Sequence, residues 1–372
     1  MGSRIILGLT LACSFLFGSS RTLAASDSWP LQVIVYWEGR SLDEPNLEAL
    51  ERLRAAYPDL LMSHMLNPSY FLDAETAEAN LAAMHRILKA DDEVGLYLSS
   101  VQSLVSRANV TMRYRPTFWG HIDEQDFCQK DCGLDVPLAG HTREELMRVF
   151  ASADSTLRQV GFSGMKAFAA RGWLANTVLQ GIASSFTYRH DLSAMDPRLI
   201  SPKLSVFPFY RWAKDAWEEA STKPSLMTQD GATSRVTIGG TLDFSEASEV
   251  LTRFDQSDPT SRPFQVALSQ ETAYFSSGRL KLLLKSLNDK AQQKNAHLVY
   301  KTASDIKNGR PSADPQHISK LYAKAAAGAD RAVPLPLPAH SGRRIRERTF
   351  LPCMLMFIVT SRMKIFRQTF PR

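Results

Sequence analysis

"LQVIVYWEGRSLDEPNLEALERLRAAYPDLLMSHML", residues 31–66, sets the reading of the whole chain. It starts with an apolar run of strand length, "LQVIVYW", crosses a short polar turn, and continues as "NLEALERLRAAY", where Leu47, Leu50 and Leu53 recur at helical intervals. A second apolar run, "LLMSHML", closes it. Strand, helix and strand in so short a span predict a parallel pair of strands with the connecting helix packed across them.

The same cadence runs outward from this unit. "AETAEANLAAMHRILKA" and "VGLYLSS" follow, then the amphipathic "TREELMRVFASADSTLRQVGF", in which Thr142 with Glu145 three residues on has the spacing of a capping box. Strand-like "KAFAA", "RVTIGG", "FQVALS" and "HLVYKT" alternate with helical stretches farther along. About eight such repeats predict an α/β fold, a single distorted (β/α) barrel of mainly parallel strands over residues 30–337.

The flanks read differently. Residues 1–25 carry Arg4, a short apolar run and small residues near Ala24, the pattern of a cleavable export signal, so a periplasmic or secreted protein is expected. From residue 338 the text turns basic and loses its periodicity, as expected of a disordered tail; a surface-lying anchor is the sharper alternative. The formal charge of +6 is concentrated in that tail, which argues against nucleic acid as a partner. No apolar run is long enough for a comfortable transmembrane span. In an oxidising compartment Cys128 and Cys132, four apart, are expected to form a small disulfide loop, with a metal pair as the rival reading. Walker-type phosphate loops, dinucleotide fingerprints and a Gly-x-Ser-x-Gly elbow are all absent from the sequence.

In a parallel barrel, ligands meet the carboxyl ends of the strands. Those positions supply Trp37 and Glu38, His64, Tyr97 and Ser99, Arg171 and Trp173, Asp243, and Ser269 and Glu271. Trp119 lies in a long loop after the third strand. Carboxylates, an arginine and aromatic rings on one rim suit a polysaccharide or oligosaccharide partner. Glu38, Asp243 and Glu271 are the candidate catalytic carboxylates. Trp37, Tyr97, Trp119, Arg171 and Trp173 are the candidate sugar contacts.

The run "CGLDVPLAGHTREELMRVFASADSTLRQVGFSGMKAFAARGWLANTVLQGIASSFTYRHDLSAMDP", residues 132–197, resembles polysaccharide deacetylases of the NodB-homology type, carbohydrate esterase family 4. The likeness extends more loosely from "VYWEGR" through "GGTLDFSEASEVLTRF" to "ALSQETAYF". It implies removal of N- or O-acetyl groups from a glycan by a zinc-like divalent ion held by one aspartate and two histidines. Carried over by position, that machinery is altered: the strand-end histidines fall at Tyr97 and Ser99, the orienting arginine at Ala169, and the late histidine at Ser269. Glu38 is the only acid of the first motif, and His64 is the one imidazole left for a rearranged metal site. The expectation is therefore a deacetylase-like protein with its metal-binding histidines replaced. The alternative is a catalytically silent glycan binder that keeps the groove.

Overall fold

The computed structural model describes residues 27–39, 41–114, 117, 128–138, 141–173, 175, 177–193, 225–227, 233–235, 237–243, 245–255 and 264–305. The proposed export signal, residues 1–25, and the basic tail from residue 338 lie outside them.

The expected alternation is present. Strand β1 (Asp27–Trp37) leads to helix α1 (Glu44–Ala56) and β2 (Met62–Leu66), and α2 (Ala74–His85) leads to β3 (Glu93–Leu98). Helices α3 (Gln102–Arg107) and α4 (Arg143–Gln159) precede β4 (Ala167–Ala170), and α5 (Thr177–Ser185) precedes β5 (His190–Asp191). A small antiparallel pair, β6 (Ser225–Met227) and β7 (Thr233–Arg235), stands apart from the main sheet. The main sheet resumes with β8 (Thr237–Thr241), α6 (Ala247–Asp255), β9 (Phe264–Ser269), α7 (Ala273–Gln293) and β10 (Ala296–Tyr300).

All pairs in the main sheet are parallel, in the order β5-β4-β3-β2-β1-β9-β8. The sheet curls into a half-barrel, and among the described strands β5 and β8 are its two ends. Leu31 pairs with both Phe264 of β9 and Tyr300 of β10. A residue has one ladder partner per edge, so β10 takes the edge of β1 that β2 occupies from Val33 onward.

Both faces of the sheet are covered, which is why the strands read as continuous apolar runs. The two-residue period sorts them. Ile34 and Tyr36 join Met65, Tyr97, Ala167, Ala169, Leu192, Ala267 and Ala303 inside the half-barrel. Leu31, Val33, Val35 and Trp37 point outward to Leu47, Leu50 and Leu53 of α1 and to the other helices. Pro45 in the first turn and Glu44 at the positive end of the helix dipole start α1. The expected capping box of α4 forms: Glu145 N donates to Thr142 Oγ1 (3.2 Å) and Thr142 N donates to the Glu145 carboxylate (2.7 Å).

The segment after β10 crosses the amino ends of the strands. There the Ala303 amide and the Ser304 hydroxyl donate to Glu93 at 2.7 and 2.6 Å. A cavity of about 410 Å³ opens beside them, lined by Asp91, Glu93, Lys166, Thr302 and Ser304 among others. It lies at the end opposite the strand-end rim.

Two buried histidines make the fold sensitive to acid. Burial, then the Arg113 charge, pushes His141 down to about 4, with Glu145 opposing. Burial, then Arg189 and Lys166, pushes His190 down to about 4. The unfolded chain takes up these protons near 6.5, so the folded state loses stability as pH falls from there toward 4 and has it in full above that window. Buried Glu93, Asp191 and Asp243, all shifted upward by burial, work in the opposite direction. The test is therefore a difference. Urea titrations across this range should show His141→Gln and His190→Gln each losing less stability on acidification than the parent, by about 2–3 kcal/mol; parallel curves would contradict the assignment.

Candidate functional site

The rim is built from residues that continue the inward-facing rows of the strands. Glu38 follows β1, Tyr97 is near the end of β3, Arg171 follows β4, and Asp243 and Glu271 follow β8 and β9. Tyr97 Oη and Arg171 Nη1 both donate to Glu38 Oε2. The other arm of Arg171 reaches Asp135 Oδ1 at 3.4 Å. Tyr70 Oη donates to the Glu38 carbonyl at 2.7 Å and fixes the main chain beneath that carboxylate.

Electrostatics keep the phenol and the guanidinium protonated. Burial, then the Glu38 charge, raises the Tyr97 phenol well above its usual range, so it stays a donor. Burial opposes the Arg171 charge, but Glu38, Tyr97, Asp135 and Glu271 outweigh it and the guanidinium pKa rises. One oxygen of Glu38 thus accepts from a fixed cation and a fixed hydroxyl.

Gly39 turns the chain at φ +109°, and a Cβ there would lie 2.0 Å from Glu271 Oε1. Only glycine takes this turn without strain and lets Glu271 lie against it. Asp243 has less freedom. Both its oxygens accept from Ser269 N (2.9 and 3.0 Å), one accepts from Thr241 Oγ1 (2.6 Å) and the other from Thr272 Oγ1. Burial raises its pKa despite these donors. The Asp243 carboxylate ties the ends of β8 and β9 to the start of α7, and its lone pairs are used in that task.

Several sequence expectations are corrected here. Trp37 is fully buried on the outer side of the sheet, so it offers no surface to a sugar. His64 stands in the middle of β2, opposite Val35 and Val94, and is also fully buried. Trp37 Nε1 donates to His64 Nδ1 (2.9 Å), so Nε2 carries the proton and donates to Asp92 Oδ2 (3.3 Å). Burial lowers the His64 pKa against the pull of Asp92. This neutral imidazole, saturated at both nitrogens and away from the rim, is not a metal ligand. Tyr97 is a buried donor with its ring 5.8 Å from Tyr36, not a stacking platform. Trp119 and the side chain of Trp173 lie outside the described residues.

The positions where the resemblance places metal machinery do not fit a divalent ion. Tyr97 keeps its proton, Ala169 lines the inner wall, and Ser269 Oγ accepts from Glu271 N (3.2 Å) as a helix cap. Ser99 is buried with no hydrogen-bond partner on its hydroxyl, and a neutral hydroxyl is a poor ligand by itself. Among the described residues no group of three or more His, Cys, Asp or Glu side chains is placed to hold a metal.

Arg171 does reach the carboxylate from two positions past the place the resemblance gives it. Residues two apart in a strand share a face, so the shift from Ala169 to Arg171 moves the guanidinium outward along one row without changing its side. Cys128 and Cys132 are disulfide-linked, with Cα atoms 5.5 Å apart. The adjoining chain is pinned over the end of β3, where Asp131 takes hydrogen bonds from Ser103 N and Oγ (2.7 and 2.9 Å) and Gln102 N donates to Cys132 O. That clamp brings Asp135 to Arg171. Sequence reading missed Asp135 and Tyr70; the cue for Asp135 was its place three residues past a cysteine of the loop.

No family model matches the sequence, and no curated protein matches it. Solved structures do. The chain is similar to a family 4 carbohydrate esterase from Streptomyces lividans in complex with acetate, at 8% identity and TM-score 0.40, over 77% of this chain and 100% of that one. It is similar to the chitin deacetylase of Colletotrichum lindemuthianum at 10% identity and TM-score 0.39, over 76% of this chain and 88% of that one. A pseudoenzyme of carbohydrate esterase family 4 from Bacillus anthracis matches at 10% identity and TM-score 0.35, over 72% of this chain and 63% of that one. No helix of the described residues is long and apolar enough to cross a membrane.

Proposed function

We propose that this protein is an exported, polysaccharide deacetylase-like glycan-binding protein that holds an acetylated sugar chain at its strand-end rim without metal-dependent hydrolysis. The observation that carries the reading is Tyr97, a phenol that keeps its proton and donates to Glu38 Oε2 at the position where the resemblance places a metal-binding histidine. Deacetylation asks for a water whose pKa has fallen far enough to supply hydroxide near neutral pH. A phenol that keeps its proton is a poor ligand for the metal that would lower that pKa.

The same groups suit binding. Sugar hydroxyls and an acetamido N–H donate to the oxygens of Glu38, Asp135 and Glu271, and an acetyl carbonyl accepts from Arg171 N–H. The test is a calorimetric titration with an N-acetylglucosamine tetrasaccharide and its deacetylated counterpart, with acetate measured in the same samples. Saturable binding of the acetylated probe, weakened about tenfold in Glu38→Gln and without acetate release, is the expected result. Absence of binding to either probe would remove the reading.

A further inference from the structure

Among the described residues Trp37 and Tyr97 are both buried and offer the rim no aromatic surface. Two rings that the sequence analysis did not single out are exposed: Tyr274 at 49% and Phe275 at 39%, in the first turn of α7. Their centroids are 5.0 Å apart with the planes at 90°. Ala273, Ser276, Leu280, Leu283, Leu284 and Leu287 form the buried side of the helix.

The pair continues the rim. Glu271 lies three residues before Tyr274, with its side chain against Gly39, the residue after Glu38. The backbone between the rings and the rim is held by one buried side chain. Asn46 Nδ2 donates to Glu271 O (2.9 Å), and Tyr274 N donates to Asn46 Oδ1 (2.7 Å). Asn46 lies in the first turn of α1, so the turn carrying the rings is fixed to the same helix that follows β1. A line therefore runs from Glu38 past Gly39 and Glu271 to two rings carried on a backbone turn that is already fixed.

Resting on the glycan reading, we propose that Tyr274 and Phe275 form a stacking subsite for one pyranose ring of the bound chain, with Glu271 accepting from that sugar's hydroxyls. The C–H face of a pyranose is apolar and matches an aromatic face, while its equatorial hydroxyls need acceptors beside the ring. A rim carboxylate three residues before an exposed aromatic pair can supply both. A protein partner would call for a broader apolar area. The other large exposed apolar side chain of this helix, Leu282, is two turns farther on, about 10 Å along the axis.

The experiment uses the full chain with Tyr274→Ala, Phe275→Ala and Tyr274→Phe, the N-acetylglucosamine tetrasaccharide as probe, and saturation-transfer NMR beside calorimetry. Each alanine variant is expected to bind about tenfold more weakly at an unchanged melting temperature, with Tyr274→Phe keeping most of the affinity. Saturation should pass from aromatic protons to the C–H protons of one sugar in the parent and be lost in the alanine variants. Unchanged affinity in both alanine variants, with the parent still binding and Glu38→Gln still impaired, overturns the subsite and leaves the rim reading intact. A parent that binds no probe overturns both. Alanine variants that alter only self-association in sedimentation would assign the rings to a contact between chains and overturn the subsite.

Discussion

Arg171→Ala is expected to destabilise the protein by about 3–5 kcal/mol, measured by urea denaturation near neutral pH. Its side chain is 18% exposed and the Glu38 side chain 11%, so little water reaches the pair. Truncation leaves the Glu38 carboxylate beside Tyr97 and Asp135 with no cation, and the cost is that of an uncompensated charge in a poorly solvated site. The pair itself is worth less than that figure, because burying two charges costs nearly what their attraction returns. Arg171→Met combined with Glu38→Gln should therefore recover most of the loss. A single variant within about 1 kcal/mol of the parent would mean that the rim is open to water and that the Glu38–Arg171 pair is loose.

Asp92→Ala is the second large effect, again about 3–5 kcal/mol. The Asp92 side chain is fully buried and that of Arg54 is 6% exposed. Asp92 accepts from Arg54 Nη2, from His64 Nε2, and from the amides of Met62 (3.0 Å) and Lys89 (2.8 Å). Removing it leaves four donors, one of them a guanidinium N–H, without that partner. Burial works to raise the Asp92 pKa, but His64, Arg54 and the Lys89 amide outweigh it and the folded value is lowered. The contribution is therefore present above the ordinary aspartate range and is lost as pH falls through the depressed folded value. Asp92→Asn, which keeps the shape and loses the charge, should fall between the parent and the alanine variant. An alanine variant with parental stability would show that Arg54 and His64 find other partners.

The half-barrel was legible because parallel strands covered on both faces leave unbroken apolar runs such as "LQVIVYW", and helices between them leave three-to-four-residue spacing. The capping box at Thr142 and the Cys128–Cys132 bridge were also legible, since each depends on local spacing. Which face a side chain takes was harder to read. Trp37 and Glu38 are neighbours, so if one faces the rim the other faces the helices, and the strand period favours Glu38. The run "LLMSHML" suggests a strand end at His64, whereas the ladder puts it in mid-strand with two residues of β2 beyond it. The partners that explain it, Asp92 and Arg54, come from the approach to β3 and from α1, and no local pattern marks them. Tyr274 and Phe275 were hidden for a related reason: in the sequence they look like the first core residues of a long helix, and only the packing turns them outward.

The central claim is that the rim carries a protonated phenol on its carboxylate where the resemblance places a metal-binding histidine. It is tested most directly by incubating the purified protein with zinc, removing excess metal, and measuring bound zinc and acetate release from the acetylated tetrasaccharide together. The account predicts no zinc retained in proportion to the chain and no acetate above the protein-free control. Zinc retained at stoichiometric level, lost in Glu38→Gln and accompanied by acetate release that a chelator stops, would contradict it.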